Sequence, residues 1–162
     1  PTEGYEEAYL EMEKLQEEGL TRSIGVSNFR KSHLENLLSK VNKIPSVNQI
    51  ETNPQMVDEE TIQFCKENKI VIEAWSPLGS GACLNDSTIQ KIADKYQKST
   101  AQIILRWLLQ KRIVILPKSV HEERIVENID LFDFELSEED MNLMNQLNEH
   151  KRTGPDPDNF DF

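Results

Sequence analysis

Short apolar runs alternate with stretches of helical periodicity along the chain. Four runs have the length and the β-branched or aliphatic content of buried strands, at 22–26, 46–50, 70–75 and 113–116. A polar or glycine-containing segment follows each of them. Regular alternation of this kind predicts parallel strands with right-handed crossovers, whose ligands bind at the carboxyl ends of the strands. We therefore expect one α/β unit over residues 1–162, with its site at that face.

The predicted helices have recognisable capping residues. Gly19 is placed to end the first helix, because glycine readily adopts the left-handed backbone of a helix end. Asp58 can cap a helix that begins after it, and Ser137 can begin the last one. Ser99 and Gln102 have the spacing of a capping box, in which each side chain binds the other residue's backbone N–H.

The segment 113–128 carries the clearest chemistry. Pro117 ends its apolar run, and Ser119 with Glu122 has capping-box spacing, so a helix should follow. The segment supplies three side chains suited to binding an anion, namely Lys118, Ser119 and Arg124, and Asn128 shares a helix face with Arg124. Together with free helix N–H groups they predict a phosphate site. The alternative is an ordinary strand-to-helix turn with solvated charges; we prefer the phosphate site because the same strand-to-helix pattern recurs along the chain.

Composition narrows the possible ligands. The chain has 162 residues, 37% of them hydrophobic, and a formal net charge of −11. This acidity argues against nucleic acid as a partner, and no apolar run is long enough to span a membrane. The two cysteines, Cys65 and Cys83, lack metal or disulfide spacing, and the three histidines suggest no metal site. We expect a cytoplasmic protein that binds a small anionic ligand and no metal.

Several segments together resemble the aldo-keto reductases, in the family's order. They are Gly25-Val26-Ser27-Asn28-Phe29, Asn48-Gln49-Ile50, Trp75-Ser76-Pro77-Leu78-Gly79, Ala101 to Trp107, and Leu116-Pro117-Lys118-Ser119 with Arg124, Glu127 and Asn128. The resemblance implies a (β/α)8 TIM barrel that binds NADPH. It also implies that this chain corresponds to the C-terminal half of the barrel, strands five to eight with their helices.

The resemblance also implies a role for each matching position. Ser27, Asn28 and Gln49 would bind the nicotinamide carboxamide, and Trp75 would stack on the nicotinamide ring. The pyrophosphate would lie under the loop of Leu78, Gly79 and Ser80, and Ser76 would be a further cofactor contact. The remaining matches would surround the adenosine and its 2′-phosphate: Lys118, Ser119, Val120, Arg124, Glu127 and Asn128. The cationic members favour NADPH over NADH, since an unphosphorylated ribose leaves them unpaired.

Each of these residues also has a plainer interpretation. Asn28 and Gln49 can be strand-end caps or hydrogen-bonded buried amides, and Trp75 can be a core residue. The loop after Trp75 can be an ordinary Pro-Gly turn, and Glu127 with Asn128 can form an exposed helix face. The tail at 152–162 corresponds to the family's substrate loop, and a disordered terminus is the equal alternative.

The family reduces aldehydes and ketones by hydride transfer, with catalytic Tyr, Lys, Asp and His. All four precede the segment that resembles residues 1–19, so no catalytic residue is assigned here. We expect a fragment that carries the cofactor-binding half of such an enzyme. Its open strand edges should pair with the missing N-terminal half or with a second half-barrel. The alternatives are a non-catalytic NADPH-binding or assembly module, or a chain with no role of its own.

Overall fold

The structure, a computed structural model, describes residues 4–159. Its helices are α1 Tyr5–Glu17, α2 Lys31–Leu38, α3 Glu59–Glu67, α4 Ser87–Tyr96, α5 Thr100–Gln110, α6 Glu122–Ile129 and α7 Glu138–Asn145. The strands are β1 Val26–Ser27, β2 Val47–Glu51, β3 Val71–Trp75 and β4 Val114–Ile115. A 3-10 segment, Gly79–Asn85, follows β3. The predicted α/β class is confirmed.

The four strands are hydrogen-bonded neighbours in the order β1-β2-β3-β4. Strands β1 and β2 run parallel, with Val26 opposite Asn48 and Ser27 opposite Gln49. Chain order and sheet order therefore coincide, as expected when each strand is followed by a helical crossover to its neighbour.

The first strand lies later than predicted. The prediction was 22–26, whereas β1 is Val26–Ser27. The chain before β1 stays beside β2 through one hydrogen bond, from Ser46 N–H to the Ile24 carbonyl at 2.8 Å. At Gly25 an added Cβ would lie 2.8 Å from the Val47 carbonyl oxygen, so the two backbones approach too closely there for a side chain. The regular ladder begins only after this close approach.

The fourth strand lies inside its predicted range, 113–116. The ladder covers Val114 and Ile115, and the Leu116 N–H adds a bond to the Ala74 carbonyl at 3.2 Å. Pairing therefore continues to the residue before Pro117, which has no N–H to donate.

The helix ends follow the predicted caps with one exception. Gly19 has a left-handed backbone, with φ of 74°, after α1. Asp58, Ser99 and Ser137 each accept a backbone N–H of the helix that follows, and Ser99 with Gln102 completes a reciprocal capping box. These caps leave few of the first helical N–H groups without a partner.

The capping box predicted before α6 is wrong. Helix α6 begins at Glu122 with His121 in the N-cap position and without a side-chain cap. The Ser119 hydroxyl instead accepts the His121 N–H at 3.1 Å and lies 3.3 Å from the His121 carbonyl oxygen. Serine commonly binds the backbone two residues onward in this way, and here that turn replaces the cap.

The chain divides into two compact units. Unit 1 comprises 4–50, 58–73 and 154–159 of the described residues, and unit 2 comprises 51–57 and 74–153. Large buried side chains of unit 1 include Tyr9, Leu34 and Leu37. In unit 2 helix α5 buries seven consecutive residues, Gln102 to Leu108. The prediction of one α/β domain over 1–162 stays a prediction.

Candidate functional site

In unit 2 a strained loop follows β3. Ser76 has a left-handed backbone with φ of 50°, and its carbonyl accepts the Gly79 N–H at 2.8 Å. Gly79 has a φ of 59°, and a Cβ there would lie 2.8 Å from the Cys83 sulfur. Glycine tolerates both the positive φ and the close sulfur atom, whereas any other residue at this position would need the buried Cys83 to move. Burial raises the pKa of the Cys83 thiol, which keeps it a neutral packing group under this turn.

The loop then continues through Ser80 and Gly81. Both have left-handed backbones, with φ of 54° and 93°. The Ser80 hydroxyl lies 3.0 Å from that of Ser76, so the two hydroxyls hold the loop closed on itself. Non-glycine residues with positive φ are uncommon and cluster at functional sites. Two of the predicted cofactor contacts, Ser76 and Ser80, adopt this conformation.

This loop forms one wall of a cavity in unit 2. The cavity has a volume of about 480 Å³. Its other wall comes from the end of β4 and from α6. Six of the residues that line it were predicted from the sequence: Trp75, Ser76, Leu78, Ser80, Lys118 and Arg124. The structure therefore brings together residues that are up to 49 positions apart, from 75 to 124.

The cavity is cationic although the chain is acidic. Lys118 and Arg124 line it, and none of its lining residues is Asp or Glu. Neither cation makes a hydrogen bond or an ion pair with any side chain in the described part of the chain. With 29 acidic residues in the sequence, two unpaired cations in a carboxylate-free cavity indicate a site for a ligand anion.

Five other predicted residues of unit 2 are not among those that line this cavity: Gly79, Ser119, Val120, Glu127 and Asn128. The Ser119 hydroxyl is engaged in the turn before α6, and Val120 is 74% exposed. Asn128 instead lines a neighbouring apolar cavity with Ile125, Ile129 and Phe132. The predicted contact of Gly79 with the pyrophosphate, and those of the other four residues with the adenosine, stay predictions.

Sequence reasoning missed several lining residues. Gly81, Leu84 and Leu116 also line the cavity. Gly81 carried a signal, since it extends the small-residue loop after β3. Leu116 belongs to the family-like segment Leu116-Pro117-Lys118-Ser119 but is not among the predicted contacts. Leu84 carried no signal, because an apolar residue near a strand or helix is ordinarily assigned to the core.

The remaining predicted residues, Ser27, Asn28 and Gln49, lie together in unit 1. The Gln49 carbonyl accepts the Ser27 hydroxyl at 3.0 Å and the Asn28 N–H at 2.9 Å. Asn28 has a φ of 59°, a left-handed conformation that asparagine tolerates better than most residues. The Gln49 side chain donates its Nε2–H to the Glu73 carboxylate at 3.0 Å, a contact that the sequence did not reveal.

The C-terminal tail is tied down within unit 1. The Arg30 guanidinium pairs with Asp156 at 2.6 Å and with Asp158 at 2.5 Å. The part of the predicted substrate loop at 160–162 lies outside the described residues.

Residues 4–159 contain neither a metal-binding cluster of side chains nor a membrane-spanning helix. No group of three or more His, Cys, Asp or Glu side chains in this range could hold a metal ion. None of the helices described there combines the length and the apolar character needed to cross a membrane. Cys65 and Cys83 are both buried and free.

The donor set of the cavity fits an anionic dinucleotide. Lys118 and Arg124 supply charge for phosphate, and the Ser76 and Ser80 hydroxyls supply hydrogen bonds. Trp75, an aromatic residue, lines the same cavity. These groups match a ligand with phosphates and planar rings, and NADPH is such a ligand.

Comparison with known proteins identifies relatives along the whole chain. The sequence model of the "Aldo/keto reductase family" matches residues 1–149. The "Uncharacterized oxidoreductase YtbE" of Bacillus subtilis (strain 168) is 50% identical over 163 residues, which cover 100% of this chain and 58% of that protein. The "Glyoxal reductase" of the same organism is 48% identical, covering 98% of this chain and 57% of its own length. The chain thus spans rather more than half the length of these relatives.

A solved structure agrees with these matches. A variant of Gox0644, crystallised in complex with NADPH, superposes with a TM-score of 0.90 at 39% sequence identity. The superposition covers 93% of this chain and 56% of that one. The α/β fold with its parallel strands is therefore that of the matched part of these proteins.

Proposed function

The chain belongs to the aldo/keto reductase family, and on that basis we propose that it is the cofactor-binding half of an NADPH-dependent oxidoreductase that reduces aldehydes or ketones to alcohols. The observation that carries the proposal is the cationic cavity of unit 2, lined by Trp75, Lys118 and Arg124. The NADPH complex of a structural neighbour supports the same cofactor.

In this proposal the cationic wall binds the adenosine end of NADPH. Lys118 and Arg124 pair with the 2′-phosphate, and Ser119, Val120, Glu127 and Asn128 surround the adenosine. The arginine is suited to this role because its planar guanidinium binds two phosphate oxygens at once. NADH lacks the 2′-phosphate, so these cations favour NADPH.

The loop after β3 binds the middle of the cofactor. Leu78, Gly79 and Ser80 cover the pyrophosphate, and the left-handed backbones of Gly79 and Ser80 allow close approach of the main chain. The Ser76 hydroxyl adds a donor beside Ser80.

The nicotinamide is bound by four residues: Trp75, Ser27, Asn28 and Gln49. The indole ring stacks on one face of the nicotinamide, and the polar side chains hydrogen-bond its carboxamide. When bound, NADPH supplies the hydride that reduces the carbonyl carbon. The residues of this chain bind and orient the cofactor, and none of them is assigned to proton delivery.

The substrate is a small carbonyl compound. The relative named glyoxal reductase makes glyoxal the appropriate first compound to test.

We further propose that the four strands form half of a (β/α)8 barrel that is completed by an N-terminal half or by a second half-barrel. The two free cysteines suit a cytoplasmic protein.

Titration of the full chain with NADPH, followed by nucleotide fluorescence, tests the cofactor assignment. We expect Lys118→Ala to weaken binding by about tenfold, as is typical for loss of a hydrogen bond to a charged group. Lys91→Ala is the matched control, because Lys91 is an exposed lysine of the same unit outside the cavity. Equal effects of the two variants, or no NADPH binding by the unaltered chain, would contradict the proposal.

Turnover tests the enzyme assignment. NADPH oxidation with glyoxal is measured for the full chain mixed with the part of glyoxal reductase that this chain does not match. Oxidation that depends on both components supports the enzyme. Tight NADPH binding without oxidation favours the non-catalytic binding or assembly module.

A further inference from the structure

Glu73 and Gln49 lie side by side on one face of the sheet in unit 1. Side chains alternate between the two faces of a strand, and Asn48, Ile50 and Ile72 are buried on the opposite face. Gln49 and Glu73 are each half-buried. The Gln49 Nε2 and a Glu73 carboxylate oxygen are 3.0 Å apart, at hydrogen-bond distance.

The chemistry of the pair sets the orientation of the amide. An ionised carboxylate only accepts hydrogen bonds, whereas a primary amide donates at one end and accepts at the other. The end of Gln49 that faces Glu73 must therefore be the NH2 group. The amide oxygen Oε1 then points away from Glu73, and it makes no hydrogen bond with any group in the described range 4–159.

The backbone carbonyl of Gln49 is already engaged. It accepts the Ser27 hydroxyl and the Asn28 N–H. The Oε1 atom is thus the acceptor that Gln49 has left for a ligand, and Glu73 is the group that keeps it in that orientation. Without Glu73 the amide could rotate, because the terminal torsion of glutamine is broad and nearly two-fold.

We propose that Glu73 is a positioning residue, which holds Gln49 so that its amide oxygen accepts an N–H of the nicotinamide carboxamide. This inference rests on the proposed function, which places Gln49 at the carboxamide. The pair then selects a dinucleotide with an –NH2 group on its nicotinamide substituent. An analogue with an acetyl group at that position offers no N–H to the Gln49 oxygen.

The surroundings of Glu73 agree with this role. Glu73 forms no ion pair with any Lys, Arg or His of the described chain, so it is not a partner that the fold needs for a buried cation. Its recorded side-chain partner is the Gln49 amide. The pair thus lies beside Ser27 and Asn28, and the amide oxygen of Gln49 can still accept a hydrogen bond.

The test compares three ligands on the full chain: NADP⁺, its 3-acetylpyridine analogue, and 2′,5′-ADP, which lacks the nicotinamide. We expect the unaltered chain to prefer NADP⁺ over the analogue. Glu73→Ala should weaken NADP⁺ binding by about fivefold, the usual effect of one neutral hydrogen bond, and reduce that preference equally. Binding of 2′,5′-ADP should not change.

Two further variants separate positioning from a structural effect. Glu73→Gln should restore the preference for NADP⁺, because its amide oxygen can still accept the Gln49 N–H. Glu67→Ala is the matched control, since it removes an amide–carboxylate bond from Gln63 to Glu67 of 2.7 Å, on an exposed helix of the same unit. It should leave all three affinities unchanged.

The inference is overturned if Glu73→Ala leaves the preference for NADP⁺ unchanged, or if it weakens all three ligands alike. A chain that binds 2′,5′-ADP but shows no preference between NADP⁺ and the analogue also overturns it. Failure to bind either NADP⁺ or 2′,5′-ADP would instead contradict the proposed function itself.

Discussion

Two arginines of unit 2 show how the same side chain serves different purposes. Arg106 on α5 is 9% exposed, and its guanidinium binds the Leu131 carbonyl at 3.1 Å and Glu135 at 3.0 Å. Arg124 on α6 is exposed, lines the cavity and pairs with no carboxylate in the described part of the chain. The fold uses the hydrogen-bonding capacity of the first and leaves that of the second for a ligand.

The helices that carry these arginines differ in the same way. Helix α5 buries seven consecutive residues, whereas α6 buries none within its bounds Glu122–Ile129. A fully packed helix stabilises the unit, and its sequence is constrained by packing. A helix that lies on the surface can accept substitutions without unfolding the chain, so its charged residues can be selected for ligand binding. Substitutions in the two helices should therefore affect different measurements.

The largest effect should come from Arg106→Met. The substitution leaves the Leu131 carbonyl and Gln110 without their buried partner. We expect the free energy of unfolding to fall by about 3 kcal/mol, measured by urea denaturation. Arg124→Met should change it by less than about 0.5 kcal/mol. Similar losses of unfolding free energy for the two variants would contradict the distinction between a structural Arg106 and a ligand-binding Arg124.

The next effect concerns a buried carboxylate with several partners. Burial opposes ionisation of Asp140, but hydrogen bonds from Lys95, Ser137 and Tyr96 outweigh it and hold its pKa below the ordinary value of 3.8. A depressed pKa in the folded state stabilises the fold above the unfolded pKa, and this stability is lost as the pH falls through the folded value. The chain should therefore lose stability below about pH 4.

Asp140→Asn tests this acid sensitivity. At neutral pH the variant should be less stable by about 2 kcal/mol, because its neutral amide replaces a charged acceptor. The difference from the unaltered chain should shrink as the pH is lowered, which urea denaturation at several pH values would show. A difference independent of pH would mean that the charge of Asp140 does not contribute.

A smaller effect is expected from Arg124→Met on ligand binding. NADPH affinity should fall by about tenfold, since one charge-assisted bond to the 2′-phosphate is lost. NADH affinity should stay the same. Arg124→Lys keeps the charge but not the planar fork, and it should recover part of the loss. Calorimetric titration measures both affinities for the unaltered chain and the two variants. An equal loss of NADH affinity in Arg124→Met would contradict the contact of Arg124 with the 2′-phosphate.

Salt should produce the smallest effect. Lys118 and Arg124 are exposed, so their attraction to a phosphate is screened by dissolved ions. Raising the salt concentration should weaken NADPH binding by roughly threefold and NADH binding by less. Equal salt dependence for the two nucleotides would argue against a contact with the 2′-phosphate.

Local signals explain what could be predicted from the sequence. Strands β2 and β3 begin and end within one residue of their predicted bounds, since apolar runs bounded by polar segments depend only on neighbours along the chain. The caps at Asp58 and Ser99 also involve partners three residues away. Trp75 and Lys118 were assigned to one site from family motifs, and the structure brings them to one cavity.

The features that were missed depend on residues far apart in sequence. Glu73 contacts Gln49 across neighbouring strands, and Lys95 contacts Asp140 at 45 positions' separation. No short pattern encodes such pairs. The cap predicted at Ser119 is wrong for a different reason. Its hydroxyl can bind either the first turn of the helix or the nearby His121 N–H, and the bond to His121 formed instead of the cap.

The most direct test of the account is a calorimetric comparison of NADPH and NADH binding to the full chain and to the Lys118→Ala/Arg124→Ala double variant. The account predicts that the unaltered chain binds NADPH at least about tenfold more tightly than NADH, and that the double variant binds the two nucleotides equally. Equal affinity of the unaltered chain for both nucleotides, or a preference for NADPH that survives the double substitution, would contradict it.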